Sequence, residues 1–197
     1  MEYIIYLAAG NSKRFGSNKL LYEYKGRRLF EYGLDAITEA CGISRECPTG
    51  MKERTVLVVT QYQEIEKYAE RLGIRTVMSP ESRDGMSFTI KKGLEALKIS
   101  AEDLIMFVVA DQPHLTAATI NRLFEAAQRA ESFETASAYC SGHPGNPACF
   151  SGRLTGELMT LKADEGGRKV IRGHECIFVQ VDENELADID TRMSVQK

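Results

Sequence analysis

The sequence predicts a three-layer α/β/α protein, in which a mostly parallel sheet lies between two layers of helices. Short runs of consecutive apolar residues, typical of strands buried on both faces, alternate along the chain with segments whose apolar residues recur at helical spacing. This alternation favours parallel strands joined by right-handed crossovers. The length of 197 residues fits one domain, which we place at residues 1–197.

Each element follows from a local pattern. Apolar runs predict strands at residues 3–7, 55–60, 75–78, 104–110, 135–139, 148–150 and 177–181, and a short extended piece at 20–24. Helical spacing predicts helices at residues 29–41, 62–72, 86–97, 116–130 and 152–161, with a short helix opening at 164–168. Gly42 and Gly73 are expected to end two helices, and Thr116 to cap a third. The run 104–110 is the most apolar and is placed at the sheet centre, whereas residues 43–53 indicate a surface loop.

The clearest functional signal follows the first strand. Side chains become small there, so the backbone can approach a ligand and its N–H groups can bind phosphate oxygens. Two permanent cations follow in the same loop, which predicts a nucleoside triphosphate site rather than an ordinary strand-to-helix turn. Neither a P-loop nor a dinucleotide fingerprint is present. The predicted nucleotide-binding residues of this loop are Leu7, Ala8, Ala9, Gly10, Asn11, Ser12, Arg14 and Lys19.

Asp111 stands directly after the predicted central strand, at residues Asp111-Gln112-Pro113. A carboxylate at the carboxyl end of such a strand lies where open α/β sheets bind ligands. The alternative, that Asp111 caps the next helix, is weaker because Thr116 is better placed as that cap. We therefore predict that Asp111 binds a metal ion.

Two further segments carry hypotheses with open alternatives. Gly85 and Ser87 precede and open a predicted helix, and Ser87 either caps that helix or presents its hydroxyl to a ligand. Residues 142–147 contain four Gly or Pro residues in six, which predicts a rigid loop that positions a ligand or else forms a plain hairpin turn.

Composition excludes several classes of protein. The formal net charge of −3, from 25 basic and 28 acidic residues, is too small to predict a nucleic-acid or membrane partner. No run of 18 apolar residues and no signal-peptide pattern is present, so we expect a cytoplasmic protein. Incidental thiols are favoured over a zinc site because no Cys-x-x-Cys pair occurs among Cys41, Cys47, Cys140, Cys149 and Cys176.

These motifs resemble those of nucleotidyltransferases with a glycosyltransferase-A-like fold, and most of all the molybdenum cofactor cytidylyltransferases of the MobA-like family. The resemblance covers residues 3 to about 192. It implies a Rossmann-like nucleotide-diphospho-sugar transferase fold. The segments that carry it are residues 7–19, 85–87 with 92–94, 109–113, 142–147, 166–168 and 188–191.

The resemblance also implies a reaction. CTP and molybdopterin carrying molybdenum would give the cytosine dinucleotide cofactor and pyrophosphate, with Mg²⁺ as the metal. The implied catalytic residues are Arg14, Lys19 and Asp111, and the implied metal ligands are Asp111 with Asp188 or Asp190. The implied nucleotide-binding residues around the base and ribose are Ala8, Ala9, Gly10, Gly85 and Ser87, and Ala9 favours CTP, since relatives that use GTP typically have Gly there. The implied acceptor-binding residues are His143, Pro144, Gly145, Asn146 and Arg168. A molybdenum hydroxylase would receive the product.

Two rival interpretations remain. A cytidylyltransferase for a sugar- or polyol-phosphate such as methylerythritol phosphate would share the first loop and Asp111, but it has no reason to carry His143-Pro144-Gly145-Asn146-Pro147. A non-catalytic accessory protein that holds the cofactor for a molybdenum hydroxylase has less need of Arg14, Lys19 and Asp111 together.

Overall fold

A computed structural model gives the structure of the protein, and it describes residues 1–11, 15, 18–43 and 54–189. Within these residues the chain forms the predicted three-layer α/β/α architecture around one seven-stranded sheet. The predicted residues Ser12, Arg14 and Asp190 lie outside the described part of the chain, as does nearly all of the predicted 43–53 loop. The assignment of residues 1–197 to one domain stays a prediction.

The main sheet has the strand order β5-β4-β1-β6-β8-β7-β9, and β2 and β3 form a separate hairpin. β8 runs antiparallel to β6 and β7, whereas the other pairs of neighbours in the main sheet are parallel. The bounds are β1 Glu2–Ala8, β2 Glu23–Tyr24, β3 Arg27–Arg28, β4 Arg54–Thr60, β5 Arg75–Met78, β6 Leu104–Val109, β7 Thr135–Cys140, β8 His143–Ser151 and β9 Cys176–Gln180.

Helices cover both faces of the sheet. Their bounds are α1 Leu29–Cys41, α2 Gln63–Arg71, α3 Met86–Glu95, α4 Ala117–Arg129, α5 Thr155–Leu158 and α6 Gly167–Ile171. Alternate side chains of β1 face opposite layers of helices. Ile4 and Tyr6 pack with α1, α2 and α4, whereas Ile5 and Leu7 pack with α3, α5 and α6. A strand buried on both faces explains why its sequence is continuously apolar.

Several local predictions are confirmed because their signals are short-range. α1 and β5 have the predicted bounds, and Gly42 ends α1 in the left-handed region with φ 66°. Thr116 caps α4, since its hydroxyl accepts a hydrogen bond from the Thr119 N–H. Tyr6 donates its hydroxyl proton to the Phe30 carbonyl oxygen over 2.6 Å, which joins β1 to α1.

Other predicted elements need correction. The predicted helix 152–161 is a 3₁₀ segment Gly152–Leu154 followed by the short α5, and the predicted extended piece 20–24 begins instead as a 3₁₀ turn, Lys19–Leu21. Residues 143–147 are not a loop but the first half of β8. Prolines are tolerated there because β6 pairs with β8 only from Ala148 onward, and the pairing of this segment with β7 is interrupted by a register shift between Ser137 and Tyr139.

The topology places a crevice at the carboxyl ends of β1 and β6. α1 and α2 carry the chain outward from β1 to β5 on one face, and α3 then carries it back across the other face to β6. β1 and β6 are therefore neighbours whose connections leave in opposite directions, which is where open α/β sheets bind ligands.

Candidate functional site

The loop after β1 is held by the residues that end β4. Thr60 donates its hydroxyl proton to the Ala8 carbonyl oxygen over 2.7 Å, and the Gln61 amide donates to the Ala9 carbonyl. The Tyr62 hydroxyl donates to the Gly10 carbonyl over 2.8 Å. Burial raises the pKa of Tyr62, so its hydroxyl keeps the proton that it donates.

These hydrogen bonds to the carbonyls also fix the direction of the backbone N–H groups of the loop. In a trans peptide the C=O and the following N–H point in opposite directions. Because the carbonyls of residues 8–10 accept hydrogen bonds from side chains of residues 60–62, the N–H groups of residues 9–11 point away from those side chains. Residues 9–11 also line the cavity in the crevice, so these N–H groups belong to a loop of the kind that binds phosphate.

A cavity of about 310 Å³ occupies this crevice. It is bounded by the loop after β1, the start of α3 and the carboxyl end of β6. Its walls are Leu7, Ala9, Gly10, Asn11, Phe15, Lys19, Leu20, Ser82, Gly85, Met86, Thr89, Val109, Ala110, Asp111 and Asp164. The size, the apolar walls and the few convergent polar groups suit a nucleotide.

Lys19 and Asp111 meet in this cavity. The Lys19 ammonium nitrogen lies 2.7 Å from the Asp111 Oδ2, and the two side chains are 12% and 23% exposed. Partial burial strengthens the attraction relative to a pair in water. This contact joins two residues that are 92 positions apart in the chain.

The segment 182–189 runs across the end of β6, and its Asp188 precedes a residue that is bonded to the backbone of Asp111. The Ile189 N–H donates to the Asp111 carbonyl oxygen over 3.0 Å, and the Gln112 amide donates to the Leu186 carbonyl oxygen over 3.2 Å. Asp188 and Asp111 consequently line one common cavity.

That second cavity has a volume of about 460 Å³ and adjoins the first, since Met86, Val109 and Asp111 line both. Its walls include the predicted acceptor residues His143, Pro144, Gly145, Asn146 and Arg168. The Arg168 guanidinium donates to the Pro144 carbonyl oxygen over 2.9 Å, which links α6 to the first half of β8. The remaining walls are Gln112, Cys140, Ser141, Glu183, Leu186, Ala187 and Asp188.

Two predicted nucleotide-binding residues do not line the first cavity. Ala8 is fully buried, and its side chain packs in the core beneath α1 and α4. Ser87 is 1% exposed, and no hydrogen-bond partner lies within reach of its hydroxyl among the described residues. Ser87 does not cap α3 with its side chain, since the residue before that helix is Gly85.

The structure also identifies site residues that sequence reasoning missed. Thr89 donates its hydroxyl proton to the Ser82 hydroxyl over 2.8 Å, and Ser82 donates to the Ser79 hydroxyl over 2.8 Å. Ser82 and Thr89 face the first cavity with this chain of hydroxyls. Gln61 and Tyr62 were also missed, because nothing local in the sequence links them to residues 9 and 10.

The donor chemistry at the junction of the two cavities fits a hard divalent cation. Within the described ranges no cluster of three or more His, Cys, Asp or Glu side chains could hold a metal ion. Mg²⁺ does not need one, since it binds through one or two carboxylates together with substrate phosphates and water. Asp111 and Asp188 would be those carboxylates, and Asp111 also lines the first cavity together with residues 9–11 of the loop after β1.

The fold and the site together define a nucleotidyltransferase. The loop after β1, described at residues 9–11 and 15 and called the phosphate-type loop below, lies with a basic residue and a carboxylate at the crevice of the mostly parallel sheet. The model of the MobA-like NTP transferase domain matches residues 4–178, and the chain belongs to that family. Its substrate is accordingly a nucleoside triphosphate, and the resemblance seen in the sequence motifs is confirmed.

Individual relatives agree with this family. The purine catabolism protein PucB of Bacillus subtilis is 28% identical over 204 residues, covering 95% of this chain and 90% of that protein. The 3-deoxy-manno-octulosonate cytidylyltransferase 2 of Hydrogenovibrio crunogenus is 28% identical over 128 residues, which are 61% of this chain and 48% of that protein.

The solved structures of Rv0371c from Mycobacterium tuberculosis H37Rv share the fold. One is 20% identical, with a TM-score of 0.75, and covers 100% of this chain and 98% of its own. A manganese complex of the same protein is 21% identical, with a TM-score of 0.76, and covers 99% of this chain and 96% of its own. In the described part of the present chain, no helix has the length and apolarity needed to cross a membrane.

Proposed function

We propose that this protein transfers CMP from CTP to the terminal phosphate of a molybdopterin-type acceptor carrying molybdenum, with release of pyrophosphate. The observation that supports the acceptor is the second cavity. It adjoins the first cavity, where we place the nucleotide, at Asp111. Its walls include His143, Asn146 and Arg168, which belong to the two segments, 142–147 and 166–168, by which the sequence resembles enzymes acting on the pterin cofactor. Two adjoining cavities are what transfer between two bound substrates requires.

In this proposal the nucleotide occupies the cavity of about 310 Å³. The N–H groups of residues 9–11 and the Lys19 ammonium bind the triphosphate, and Arg14 adds a second cation from outside the described residues. The acceptor phosphate reaches the α-phosphate from the side of Arg168. The new P–O bond forms as the bond to pyrophosphate breaks, and the negative charge that builds up on pyrophosphate is stabilised by Lys19 and Arg14.

Asp111 would hold Mg²⁺ together with Asp188, or with Asp190 beyond the described residues. Bound there, Mg²⁺ neutralises charge on the triphosphate. The Lys19 ammonium, which contacts the Asp111 carboxylate at 2.7 Å, would remain within reach of the same phosphates. The manganese complex of Rv0371c supports a divalent cation on this fold.

Base selection is assigned to the wall formed by Ala9, Ser82 and Thr89. A site built around hydrogen bonds rejects a wrong base by leaving buried polar groups unpaired. We therefore expect higher kcat/KM for CTP than for GTP, and Ala9→Gly should narrow the difference. The cytidylyltransferase of Hydrogenovibrio crunogenus supports a pyrimidine nucleotide, but equally a sugar acceptor.

The deciding experiment measures pyrophosphate release with Mg²⁺, pairing CTP or GTP with each of three acceptors: molybdopterin carrying molybdenum, methylerythritol phosphate and 3-deoxy-manno-octulosonate. Turnover with CTP and the pterin alone supports the proposal. Turnover with a sugar or polyol acceptor instead would identify the rival cytidylyltransferase.

A matched pair of variants tests the acceptor cavity. Arg168→Ala should raise KM for the acceptor while leaving KM for CTP near that of the wild type. Arg172→Ala, at the exposed position directly after α6, should change neither KM. Tight binding of the pterin without any pyrophosphate release from CTP would favour the accessory protein. A molybdenum hydroxylase that accepts the cytosine dinucleotide product would complete the proposed route.

A further inference from the structure

The segment 182–189, called the strap below, forms one side of the second cavity, where the acceptor is proposed to bind. Several of its residues contact the rest of the protein. Glu185 accepts hydrogen bonds from the Thr116 N–H at 3.1 Å and from the Thr116 hydroxyl at 2.8 Å. The Leu186 carbonyl accepts from Gln112, and the Leu186 side chain lies against Gly145, where an added Cβ would come within 3.0 Å of it. The strap therefore lies in a defined place over the end of β6.

The last attachment point is Ile189. Its N–H donates to the Asp111 carbonyl oxygen over 3.0 Å. Its side chain, 5% exposed, packs in a small cluster with Phe15, Tyr24 and Leu29. Phe15 belongs to the phosphate-type loop, and it is 5% exposed in the same cluster.

Ile189 thus follows one carboxylate in the chain, its N–H is bonded to the backbone of the other, and its side chain packs against Phe15, which lines the first cavity. The main-chain bond fixes the distance between the backbones of Asp111 and Asp188. The buried side chain keeps that bond in place, because leaving the cluster would expose the isoleucine to water.

We propose that Ile189 is a positioning residue, which holds Asp188 beside Asp111 and couples this carboxylate pair to the phosphate-type loop through Phe15. The proposal rests on the metal assignment and on CTP as the nucleotide, both made under the proposed function, but not on the identity of the acceptor. Two consequences follow. Truncation of Ile189 should weaken divalent-cation binding to the protein alone, and it should reduce the tightening of cation binding that CTP produces.

The test is titration of Mn²⁺ by electron paramagnetic resonance, without turnover, on the wild type and on Ile189→Ala. We expect an apparent Mn²⁺ dissociation constant raised by about tenfold, the size typical of losing a residue that orients a metal ligand. Repeating the titration with a non-hydrolysable CTP analogue measures the coupling, which should shrink in Ile189→Ala. Ile189→Val, which keeps most of the buried contact, should restore binding to near the wild-type value.

Ile74→Ala is the matched control. Ile74 is 4% exposed, about as buried as Ile189, but packs in the core under α2, away from the crevice. It should lower the melting temperature without changing Mn²⁺ affinity. Unchanged Mn²⁺ affinity and coupling in Ile189→Ala would overturn the proposal.

Two further variants separate this proposal from the metal assignment. If Asp111→Asn and Asp188→Asn both weaken Mn²⁺ binding but Ile189→Ala does not, the metal site stands and the positioning role fails. If neither carboxylate variant changes Mn²⁺ binding, the metal assignment fails, and the positioning role fails with it.

Discussion

At the scale of the residue, Lys19 and Asp111 place one cation and one carboxylate in contact at the junction of the two cavities. Their 2.7 Å contact lies at the carboxyl end of β6, where the first and second cavities share Asp111 as a wall. A lysine on the surface would contribute little to function, whereas one preorganised beside a triphosphate acts on charge that develops during transfer. The two roles differ widely in their kinetic consequences.

Lys19→Ala should lower kcat by on the order of 10²-fold, with a smaller change in KM for CTP, because interactions that strengthen in the transition state appear in kcat. Steady-state kinetics of pyrophosphate release measures both constants. Lys67→Ala, at an exposed position on α2, serves as the control and should retain normal kinetics. An increase confined to KM would mean that Lys19 binds the substrate without acting on the transition state.

At the scale of the element, the start of α3 is placed by a glycine. Gly85 has φ 142°, a conformation that other residues rarely adopt, and an added Cβ would lie 2.3 Å from the backbone of Ala163. The Ser87 N–H donates to the Ala163 carbonyl oxygen over 3.0 Å at the same contact. Gly85 therefore lets α3 approach the segment before α6, and Gly85 and Asp164, from the two sides of that contact, line the first cavity.

Gly85→Ala should displace the start of α3 from residues 163–164 and so weaken nucleotide binding and lower the melting temperature together. Calorimetric titration with CTP and thermal unfolding measure the two effects. Gly156→Ala is the comparison, since an added Cβ there meets no atom within 4 Å. Normal CTP affinity in Gly85→Ala would show that this close approach does not shape the cavity.

A second prediction at this scale concerns the start of α4. Thr116 caps the helix through its hydroxyl and also binds Glu185 of the strap. Thr116→Ala should reduce the free energy of unfolding by about 1 kcal/mol, as loss of an N-cap usually does. Thr116→Ser keeps the hydroxyl and should stay near the wild type in urea denaturation. Equal losses in both variants would assign the effect to the threonine methyl group.

At the scale of the whole molecule, His174 joins three parts of the chain at the end of the sheet opposite the crevice. Its Nε2 lies 2.6 Å from Glu157 of α5, and its Nδ1 lies 3.4 Å from Glu134, just before β7. The hydrogen bond to Glu157, followed by the one to Glu134, raises the pKa of His174. Both contacts favour the protonated ring, which is 20% exposed.

This raised pKa predicts a pH-dependent contribution to stability. Because the folded-state pKa lies above the ordinary value of about 6.5, the stabilisation is complete below that value and disappears as pH rises through the folded-state pKa. His174→Gln should therefore melt below the wild type at about pH 5.5, and the difference should narrow at about pH 9. His143→Gln, at an exposed position, is the control. A difference in melting temperature that does not change with pH would refute the charged role of His174.

Much of the fold and part of the site could be predicted from the sequence. The apolar run of β1, the helical spacing of α1 and the glycine that ends α1 are local signals, and the structure confirms them. The 143–147 segment misled the prediction because its prolines suggested a loop. Whether a strand tolerates proline there depends on where the pairing of β8 with β6 begins, and the local sequence does not record that position.

The sequence by itself determined the strand and helix alternation, the small-residue loop after β1 and the carboxylate after β6, because each depends on neighbours within a few positions. Only the tertiary structure decided which groups converge there. The Gln61 and Tyr62 contacts span 52 positions and the Lys19–Asp111 contact spans 92, while Ile189 binds Asp111 from the far end of the chain. Such pairs are set by strand order and crossover direction, which bring the carboxyl ends of distant strands to one edge of the sheet.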